Sequence, residues 1–434
     1  EQVSTLLDEA AVSESYTPVI RLIGSTFSNP DVLDASFHTV LGGPATAAHP
    51  GVDLDQVVRF YKRLQTQPNE GVRRSLYHAL QQMSAQAMLD MSRLKDTYQL
   101  RHFLIALLNP MLSDPDYHTP VVAKLCRCVH SLSDRLQGVL TAWLGALELE
   151  QTRELLKALQ QYMTLRLYAG ETSISELRGP THAVFQATGR RRLRLEEFYN
   201  DVISSEINLR DDYRRWLASR CAPLSTSPCS ANPPSSCSSE EGVDVFSFCA
   251  HSYILDAAAK SFILKFDARR QMESLARESI SESLAAGAQA MPYFVLKIKR
   301  SNLLEDTLLQ IVNAHPKSSL KKPLKVKFVG EEGIDEGGVR KEFFQVLSRQ
   351  LFDPGFGMFT VEDDGRTLWF SRDAMELHGT IQFELIGSLI GLAIYNSVIL
   401  DVHFPTVVYR KLVGLTPTLR WVPSGLLCLG GGGD

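Results

Sequence analysis

Apolar residues recur at helical spacing through most of the first half of the chain. From Gly51 to Gly170, stripes of apolar side chains fall three and four positions apart, as on one face of an α-helix. Helix-like runs also cover residues 100–112, 120–132 and 136–149, and short polar or proline-containing breaks separate several of the runs. This pattern predicts successive helices with short connections, arranged either as a bundle or as an irregular solenoid.

The pattern changes in the second half of the chain, where strands and helices mix. Residues 293–299 and 325–329 contain alternating polar and apolar positions, which predicts two half-buried strands. Residues 339–352 form an amphipathic helix pattern, Asp364-Gly365 indicates a hairpin turn, and residues 381–400 form an apolar helix. We therefore predict an α+β protein, with a mainly α-helical N-terminal region followed by a mixed α/β region.

A stretch rich in serine and proline interrupts the chain between these two regions. Of the 21 residues from Cys221 to Glu241, seven are serine and four are proline, and no apolar stripe runs through them. Such a composition buries too little apolar surface to offset the conformational entropy lost on ordering. We predict a helical region over residues 1–220, a disordered linker over 221–241 and a second domain from residue 242.

Composition and charge exclude several classes of protein. The chain has 434 residues, 44% of them hydrophobic and 22% charged, with a formal charge of −4. These values are ordinary for a globular protein and exclude a disordered chain or a strongly basic nucleic-acid coat. The basic run Arg190 to Arg194 is interpreted as a solvated loop, so nucleic acid is not expected as a partner.

Cysteine usage and the apolar helix bear on compartment and membrane. Seven cysteines without any C-x-x-C pair argue against structural zinc and for reduced thiols in an intracellular protein. The uncharged run from Leu385 to Leu400 would span about 24 Å as a helix, less than a bilayer core of about 30 Å. We therefore expect a buried core helix, no membrane partner and a cytoplasmic location, with the nucleus as the alternative.

Candidate chemistry is sparse when it is read from residues alone. The sequence lacks G-x-S-x-G, the phosphate-binding P-loop pattern and H-E-x-x-H. Four acids, Glu331, Glu332, Asp335 and Glu336, crowd a glycine-rich loop, where they could form a metal site or an acid/base pair. We favour a structural interpretation, since glycines allow a tight strand-to-helix turn and acids favour the start of a helix. No catalytic, metal or cofactor residue is assigned.

The segment that contains this loop resembles a known family. Residues 325–344 (KVKFVGEEGIDEGGVRKEFF) closely resemble the N-lobe of HECT-type ubiquitin ligases, and the likeness continues in ordered motifs through Tyr409-Arg410-Lys411-Leu412. Among these motifs are Gly357-Met358-Phe359, Ile394-Tyr395-Asn396 and Asp401-Val402-His403-Phe404-Pro405. The likeness is strong over about 323–414 and weaker back through Phe246 and the helices after Gly51. It is greatest to the branch that carries a helical region before the HECT domain.

The resemblance implies a two-step acyl transfer. A ubiquitin-conjugating enzyme passes ubiquitin to a cysteine of the C-lobe, and the resulting thioester then transfers it to a lysine of a protein substrate. The family's nucleophile and the small subdomain that docks the conjugating enzyme both come later than the segment that aligns here. Cys428 lies in a Leu-Leu-Cys-Leu-Gly context without the family's surroundings, so it is not carried over as catalytic.

Two function classes follow from this partial likeness. The domain boundaries expected are a partial HECT N-lobe over 242–414 and an unrelated tail over 415–434. The first class is a truncated ubiquitin ligase, inactive by itself, and the absence of an initial methionine also suggests a fragment. The second is a non-catalytic helical interaction module or decoy. Some relatives bind ubiquitin on the N-lobe through an aromatic residue, and because Val361 stands at that position, this site is not transferred.

Overall fold

The computed structural model describes residues 2–38, 45–67, 69–170, 178–188, 193–221, 246–287, 291–314, 317–331, 337–361 and 367–415. Two compact units divide the chain, Glu1–Ser261 and Phe262–Asp434. The boundary falls within a long helix, α14 (Ala257–Ala286). Sequence patterns place the start of the second domain at residue 242, and this boundary stays a prediction because residues 222–245 lie outside the described residues.

The first unit is built from helices, as predicted. In chain order these are α1 (Gln2–Ser13), α2 (Thr17–Phe27), α3 (Pro30–Asp34), α4 (Leu54–Gln65), α5 (Glu70–Asp90), α6 (Arg101–Leu107), α7 (Pro115–Tyr117), α8 (Ala123–Ser131), α9 (Asp134–Leu144), α10 (Leu149–Tyr168), α11 (Arg178–Thr188), α12 (Asp201–Glu206) and α13 (Leu209–Cys221). A π-helical turn at His118–Val122 joins α7 to α8. The α+β fold class with a helical N-terminal region is confirmed.

Short polar side chains set where several of these helices begin. The side-chain oxygens of Asn29, Asp53 and Asn69 accept hydrogen bonds from backbone N–H groups in the first turns of α3, α4 and α5. Each bond satisfies a donor that has no partner within its own helix. These residues lie in the breaks of the hydrophobic pattern, which is why the sequence locates the helix starts well.

Four helices of the first unit form a continuous row. Helix α2 packs on α5, α5 packs on α8, and α8 packs on α11. At one end of the row Phe27 stacks on Phe60 with ring centroids 5.3 Å apart, and the buried Tyr61 hydroxyl donates to the carbonyl oxygen of Ile105 at 3.0 Å. The apolar stripes of the sequence therefore become one shared core that extends through successive helices.

Residues 246–256 pack within the first unit although they follow the serine-rich stretch. The Asp212 carboxylate, 1% exposed, accepts hydrogen bonds from the Ser247 hydroxyl at 2.9 Å and from the N–H groups of Phe248 and Cys249. The N–H of Asn200 donates to the carbonyl oxygen of Ile254 at 2.8 Å. Residues 246–256, which follow the serine-rich stretch, are thus bound to the same unit as α13, which precedes it.

The second unit mixes helices with two small sheets. Its elements after α14 are β1 (Phe294–Ile298), α15 (Leu303–Val312), β2 (Leu324–Phe328), α16 (Gly338–Leu351), β3 (Phe359–Val361), β4 (Leu368–Phe370), α17 (Ala374–Tyr395) and α18 (Thr406–Leu412). Strands β1 and β2 pair in parallel, and β3 and β4 form an antiparallel hairpin. The two predicted strands and the predicted helix at 339–352 occur within one or two residues of their expected bounds.

One face of the β1–β2 pair forms part of the core of this unit. Leu296, Ile298, Val326 and Phe328 are buried against Phe343, Phe344 and Leu347 of α16. The outer edge of β1 is closed by a side chain, because Gln310 of α15 accepts from the N–H of Lys297 at 2.9 Å and donates to its carbonyl oxygen at 2.7 Å. A single amide thus satisfies both backbone groups that an added strand would use.

The apolar helix differs from its expected range of 381–400. Helix α17 is interrupted at Gly379, whose φ of 73° and ψ of 177° are not helical, and it ends at Tyr395. Asn396 caps the end, since its side chain donates to the carbonyl oxygen of Leu392 at 2.9 Å. Within the described ranges, no helix combines the length and hydropathy needed to cross a bilayer.

Several predicted features lie outside the described residues. These are the linker from residue 222 onward, the basic residues Arg190 to Arg192, the hairpin turn at Asp364-Gly365 and the tail from residue 416. The predicted boundaries of the linker, the partial N-lobe and the tail therefore remain predictions.

Candidate functional site

An open groove of 980 Å³ marks one side of the second unit. Helix α16 forms one wall, the β3–β4 hairpin a second, and the segment that follows α17 a third. The groove is lined by Lys341, Gln345, Ser348, Arg349, Phe352, Asp353, Val361, Leu368, Ser397, Val398, Ile399, Asp401 and His403. Three parts of the chain that are distant in sequence thus contribute to one concave surface.

A cluster of aromatic rings holds these walls together. The ring centroid of Phe359 on β3 lies 5.3 Å from that of Phe352 and 5.7 Å from that of Phe404. Phe370 on β4 stacks on Phe404 at 6.1 Å with an interplanar angle of 12°. Such ring pairs add about 0.5–1.5 kcal/mol each beyond the burial of their area. The cluster therefore fixes the hairpin against the segment that follows α17.

The polar groups of the groove are suited to binding and not to acid–base chemistry. His403 Nδ1 lies 3.8 Å from Asp401 Oδ1, and the two side chains are 70% and 97% exposed. A general base must be held in position and partly removed from water, and side chains this exposed meet neither condition. Val361 stands at the rim of the groove and is 43% exposed.

Of the four acids of the glycine-rich loop, the structure describes Glu331, and this residue has a structural role. Glu331 pairs with Arg300 through Oε2 at 3.0 Å, and Arg300 also pairs with Glu342 of α16 at 2.8 Å. The hydrogen bonds from Arg300 lower the pKa of the Glu331 carboxyl. Gly330 and Gly337 adopt φ angles of 91° and 102°, as the structural interpretation requires.

The remaining acids of that loop, Glu332, Asp335 and Glu336, lie outside the described residues. Across the described ranges no group of three or more His, Cys, Asp or Glu side chains is arranged to hold a metal ion. The metal and acid/base alternatives for the loop therefore gain no support from Glu331.

The cysteines that the structure describes are poor nucleophiles. Cys126 and Cys128 are buried free thiols of α8, and Cys249 is a partly buried free thiol. Burial raises the pKa of Cys128 and that of Cys249 to about 12 each. Because the thiolate is the reactive form, these groups are inert near neutral pH. Cys428 lies outside the described residues.

Sequence reasoning assigned no catalytic residue and missed the groove. Its lining residues come from 341–353, 361–368 and 397–403, and only the tertiary packing of the aromatic cluster brings these segments together. The available signal was the recurrence of phenylalanine at 352, 359, 370 and 404, within the segment that resembles the HECT N-lobe.

Comparison with known proteins identifies the segment that contains the groove. Residues 345–424 match the model of the HECT domain, described as a ubiquitin-transferase. Probable E3 ubiquitin-protein ligase HECTD2 of Mus musculus is 29% identical over 353 residues, and probable E3 ubiquitin-protein ligase HERC4 of Rattus norvegicus is 28% identical over 421 residues. Probable E3 ubiquitin-protein ligase mug30 of Schizosaccharomyces pombe is 34% identical over 235 residues.

These likenesses cover much of this chain but a smaller part of each relative. The aligned regions include 77%, 92% and 54% of this chain, and 42%, 38% and 26% of the HECTD2, HERC4 and mug30 proteins. The chain thus spans less than half the length of these curated relatives. The domain match, the named relatives and the N-lobe motifs agree, and the chain carries part of a HECT domain similar to that of HECT-type ubiquitin-protein ligases.

Proposed function

We propose that this chain supplies a helical region and an N-lobe framework for HECT-type ubiquitin transfer. In that reaction ubiquitin passes from a conjugating enzyme to a cysteine of the C-lobe and then to a lysine of a protein substrate. A conjugating enzyme, ubiquitin and protein substrates are the partners that this role requires. The observation that carries the proposal is the HECT match over residues 345–424, the part of the chain that forms most of the groove.

We propose further that the 434 residues by themselves form no thioester with ubiquitin. The described thiols, Cys126, Cys128 and Cys249, belong to the helical unit, and burial keeps the pKa of the latter two far above neutral pH. Attack on a thioester requires a thiolate held in position beside it, and positioning supplies about 7–11 kcal/mol in favourable systems. Neither Cys128 nor Cys249 therefore supplies a reactive thiolate near neutral pH.

A thioester assay tests both parts of this proposal. The purified chain is mixed with ATP, ubiquitin, activating enzyme and a conjugating enzyme, and we expect no adduct that a reductant removes. A chimera in which residues 415–434 are replaced by the corresponding later part of the mouse HECTD2 HECT domain should form such an adduct. A thioester on the 434-residue chain that disappears in Cys428→Ala would overturn the proposed inactivity, and an inactive chimera would count against the N-lobe role.

We also propose that the protein works in the cytoplasm. Support comes from Cys126 and Cys128, two free thiols buried two positions apart in α8, because free thiols persist in a reducing compartment. Fluorescence microscopy of a tagged chain tests the location, and a nuclear or secreted distribution would contradict it.

A further inference from the structure

Four lysines line one face of the parallel strand pair. Lys297 pairs in register with Lys327, and Lys325 pairs with Val295 two positions earlier on the same face. Lys299 continues the alternation just beyond β1. Lys297, Lys299 and Lys327 are exposed, and Lys325 is partly exposed. We call Lys297, Lys299, Lys325 and Lys327 the lysine face.

The four lysines of the lysine face make no ion pair with a described carboxylate. Every ion pair that the structure shows in the second unit is made by other side chains, such as Arg300 with Glu331 and Glu342. The Asp306 carboxylate, which accepts hydrogen bonds from the N–H of Lys299 and the side-chain amide of Asn302, places one negative charge at this edge of the sheet. Lys325 Nζ lies 4.5 Å above the ring of Tyr293. Four lysine charges therefore stand close together without an ion-pair partner in the described part of the chain.

The strand pairing makes this exposed face unusual. Parallel strands in proteins are almost always covered on both faces, since each face normally packs against helices. Here the opposite face is the core of the unit, with Leu296 and Ile298 fully buried, and the lysine face is open. Because Gln310 closes the outer edge of β1, a partner at this sheet meets side chains and not a free backbone edge of β1.

The spacing of the charges indicates what would cover them. Side chains two positions apart on a strand are separated by about 6.6 Å, and neighbouring strands by about 4.8 Å. An extended peptide with acids at alternate positions presents carboxylates at the first of these spacings, along the direction of β1 and β2. Lysine ammonium groups on flexible stems can reach such carboxylates without a fixed register.

We propose that the lysine face binds an extended acidic segment of a protein partner. The choice of a protein over another polyanion rests on the proposed function, because a ubiquitin ligase acts on proteins. The segment would lie over the lysine face along the direction of β1 and β2, with alternate Asp or Glu residues toward the lysines and the intervening side chains toward solvent. The face would thus select substrates or partners by acidic sequence.

A binding titration of the full chain tests this surface directly. The probe is a fluorescein-labelled peptide of about twelve residues with alternating glutamate and valine, which is longer than either five-residue strand of the pair. The matched peptide carries glutamine in place of glutamate. Fluorescence anisotropy should show binding of the acidic peptide, weaker binding as NaCl is raised, and no binding of the glutamine peptide.

Two variants with the same change in net charge locate the site. Replacement of the lysine face, K297Q/K299Q/K325Q/K327Q, should weaken binding of the acidic peptide by about ten-fold, the effect of losing several exposed ion pairs. The control K62Q/K95Q/K157Q/K265Q alters four exposed lysines elsewhere and should leave binding unchanged. Equal thermal melting of both variants shows that folding is retained.

Three results would overturn the inference. They are equal binding of the glutamine peptide, equal loss in the control variant, and tighter binding of oligouridylate RNA or phosphatidylserine vesicles than of the acidic peptide. The titration contains no ubiquitin or conjugating enzyme, so its failure leaves the proposed function untouched. Conversely, failure of the chimera to form a thioester leaves a measured peptide affinity intact.

Discussion

Individual cysteine side chains in the helical unit hold their protons well above neutral pH. Cys128 of α8 is buried, which raises the pKa of its thiol. Cys249 is partly buried and lies beside the Asp212 carboxylate, whose negative charge raises the pKa of the Cys249 thiol further. With a pKa of about 12, roughly one thiol in ten thousand is ionised at pH 8, against about a quarter of free cysteines. The reactivity of these residues is therefore set by the fold.

We predict that iodoacetamide at pH 8 labels Cys128 and Cys249 far more slowly in the native chain than in urea. Mass spectrometry of peptides after timed quenching measures the two rates within one sample. The urea-treated chain serves as the control for intrinsic reactivity. Rapid native labelling of Cys128 would show that its pKa is not raised or that α8 opens readily.

The raised pKa values of the Cys128 and Cys249 thiols also make the free energy of unfolding depend on pH. A thiol whose folded pKa is raised binds its proton more tightly in the folded state, so its contribution is complete below the unfolded pKa of about 9. That contribution is lost as the pH rises toward about 12. We expect the urea midpoint to fall over this range, and a smaller fall in Cys128→Ala after correction for its own stability. A midpoint that rises with pH would contradict this sign.

At the scale of elements, α17 depends on one glycine. The φ and ψ of Gly379 lie in a region open essentially to glycine alone, and the helix changes direction there. Gly387 and Gly391 lie farther along the same helix with helical geometry, and a Cβ added to either meets no atom within 4 Å. The backbone conformation therefore requires glycine at position 379, whereas positions 387 and 391 have space for a larger side chain.

We predict that Gly379→Ala destabilises the chain by about 1–3 kcal/mol, because alanine cannot adopt that backbone conformation without strain. Gly387→Ala is the matched control and should stabilise by about 0.5–1 kcal/mol, since alanine loses less entropy in a helix. Urea denaturation followed by circular dichroism compares the two. Equal effects of the two substitutions would mean that the interruption at Gly379 does not constrain the fold.

The hydrophobic pattern located most elements but not their ends. Strands β1 and β2 match their predicted ranges because alternation and burial coincide in them. Helix α17 stops at Tyr395 although apolar residues continue to Leu400, because Asn396 bonds back to Leu392 and Ser397 takes a φ of 58°. Such an end is set by capping geometry, which a run of apolar residues does not reveal.

At the scale of the whole molecule, the described residues on both sides of the serine-rich stretch belong to the same unit. Two sets of contacts hold residues 247–253 on this unit. Asp212 accepts hydrogen bonds from residues 247–249, and Tyr253 stacks on Phe185 at 4.2 Å. A cut inside the stretch would therefore break the covalent chain but leave these contacts intact.

We predict that the endoproteinase Glu-C cuts first after Glu240 or Glu241, in the stretch predicted to be disordered, and that the two fragments elute together in size-exclusion chromatography. Asp212→Ala should weaken the association, since it removes the acceptor of three hydrogen bonds and leaves the buried N–H of Phe248 without that partner, at a cost of about 1–3 kcal/mol. Ser247→Ala, which removes one donor, provides a milder comparison. Separate elution of the native fragments would contradict the anchoring role of residues 246–256.

The net charge and composition of the whole chain do not indicate the lysine face or the groove of the second unit. A net charge of −4 gives no hint of four adjacent lysines, although Lys297-Ile298-Lys299 and Lys325-Val326-Lys327 are visible in the sequence. Their alternation predicts strands, but the parallel register that puts Lys297 beside Lys327 depends on packing against α15 and α16. The groove was hidden for the same reason, since its three walls meet only in the folded unit.

The Gln310 amide that closes the edge of β1 also bears on how long a partner stays bound. A partner that cannot add a strand at β1 is held by ammonium–carboxylate contacts, which form quickly under long-range attraction and break without disrupting a backbone ladder. Residence times on the lysine face would then be short and sensitive to ionic strength. In the proposed role in ubiquitin transfer, such brief occupancy would let each modified protein depart before the next arrives.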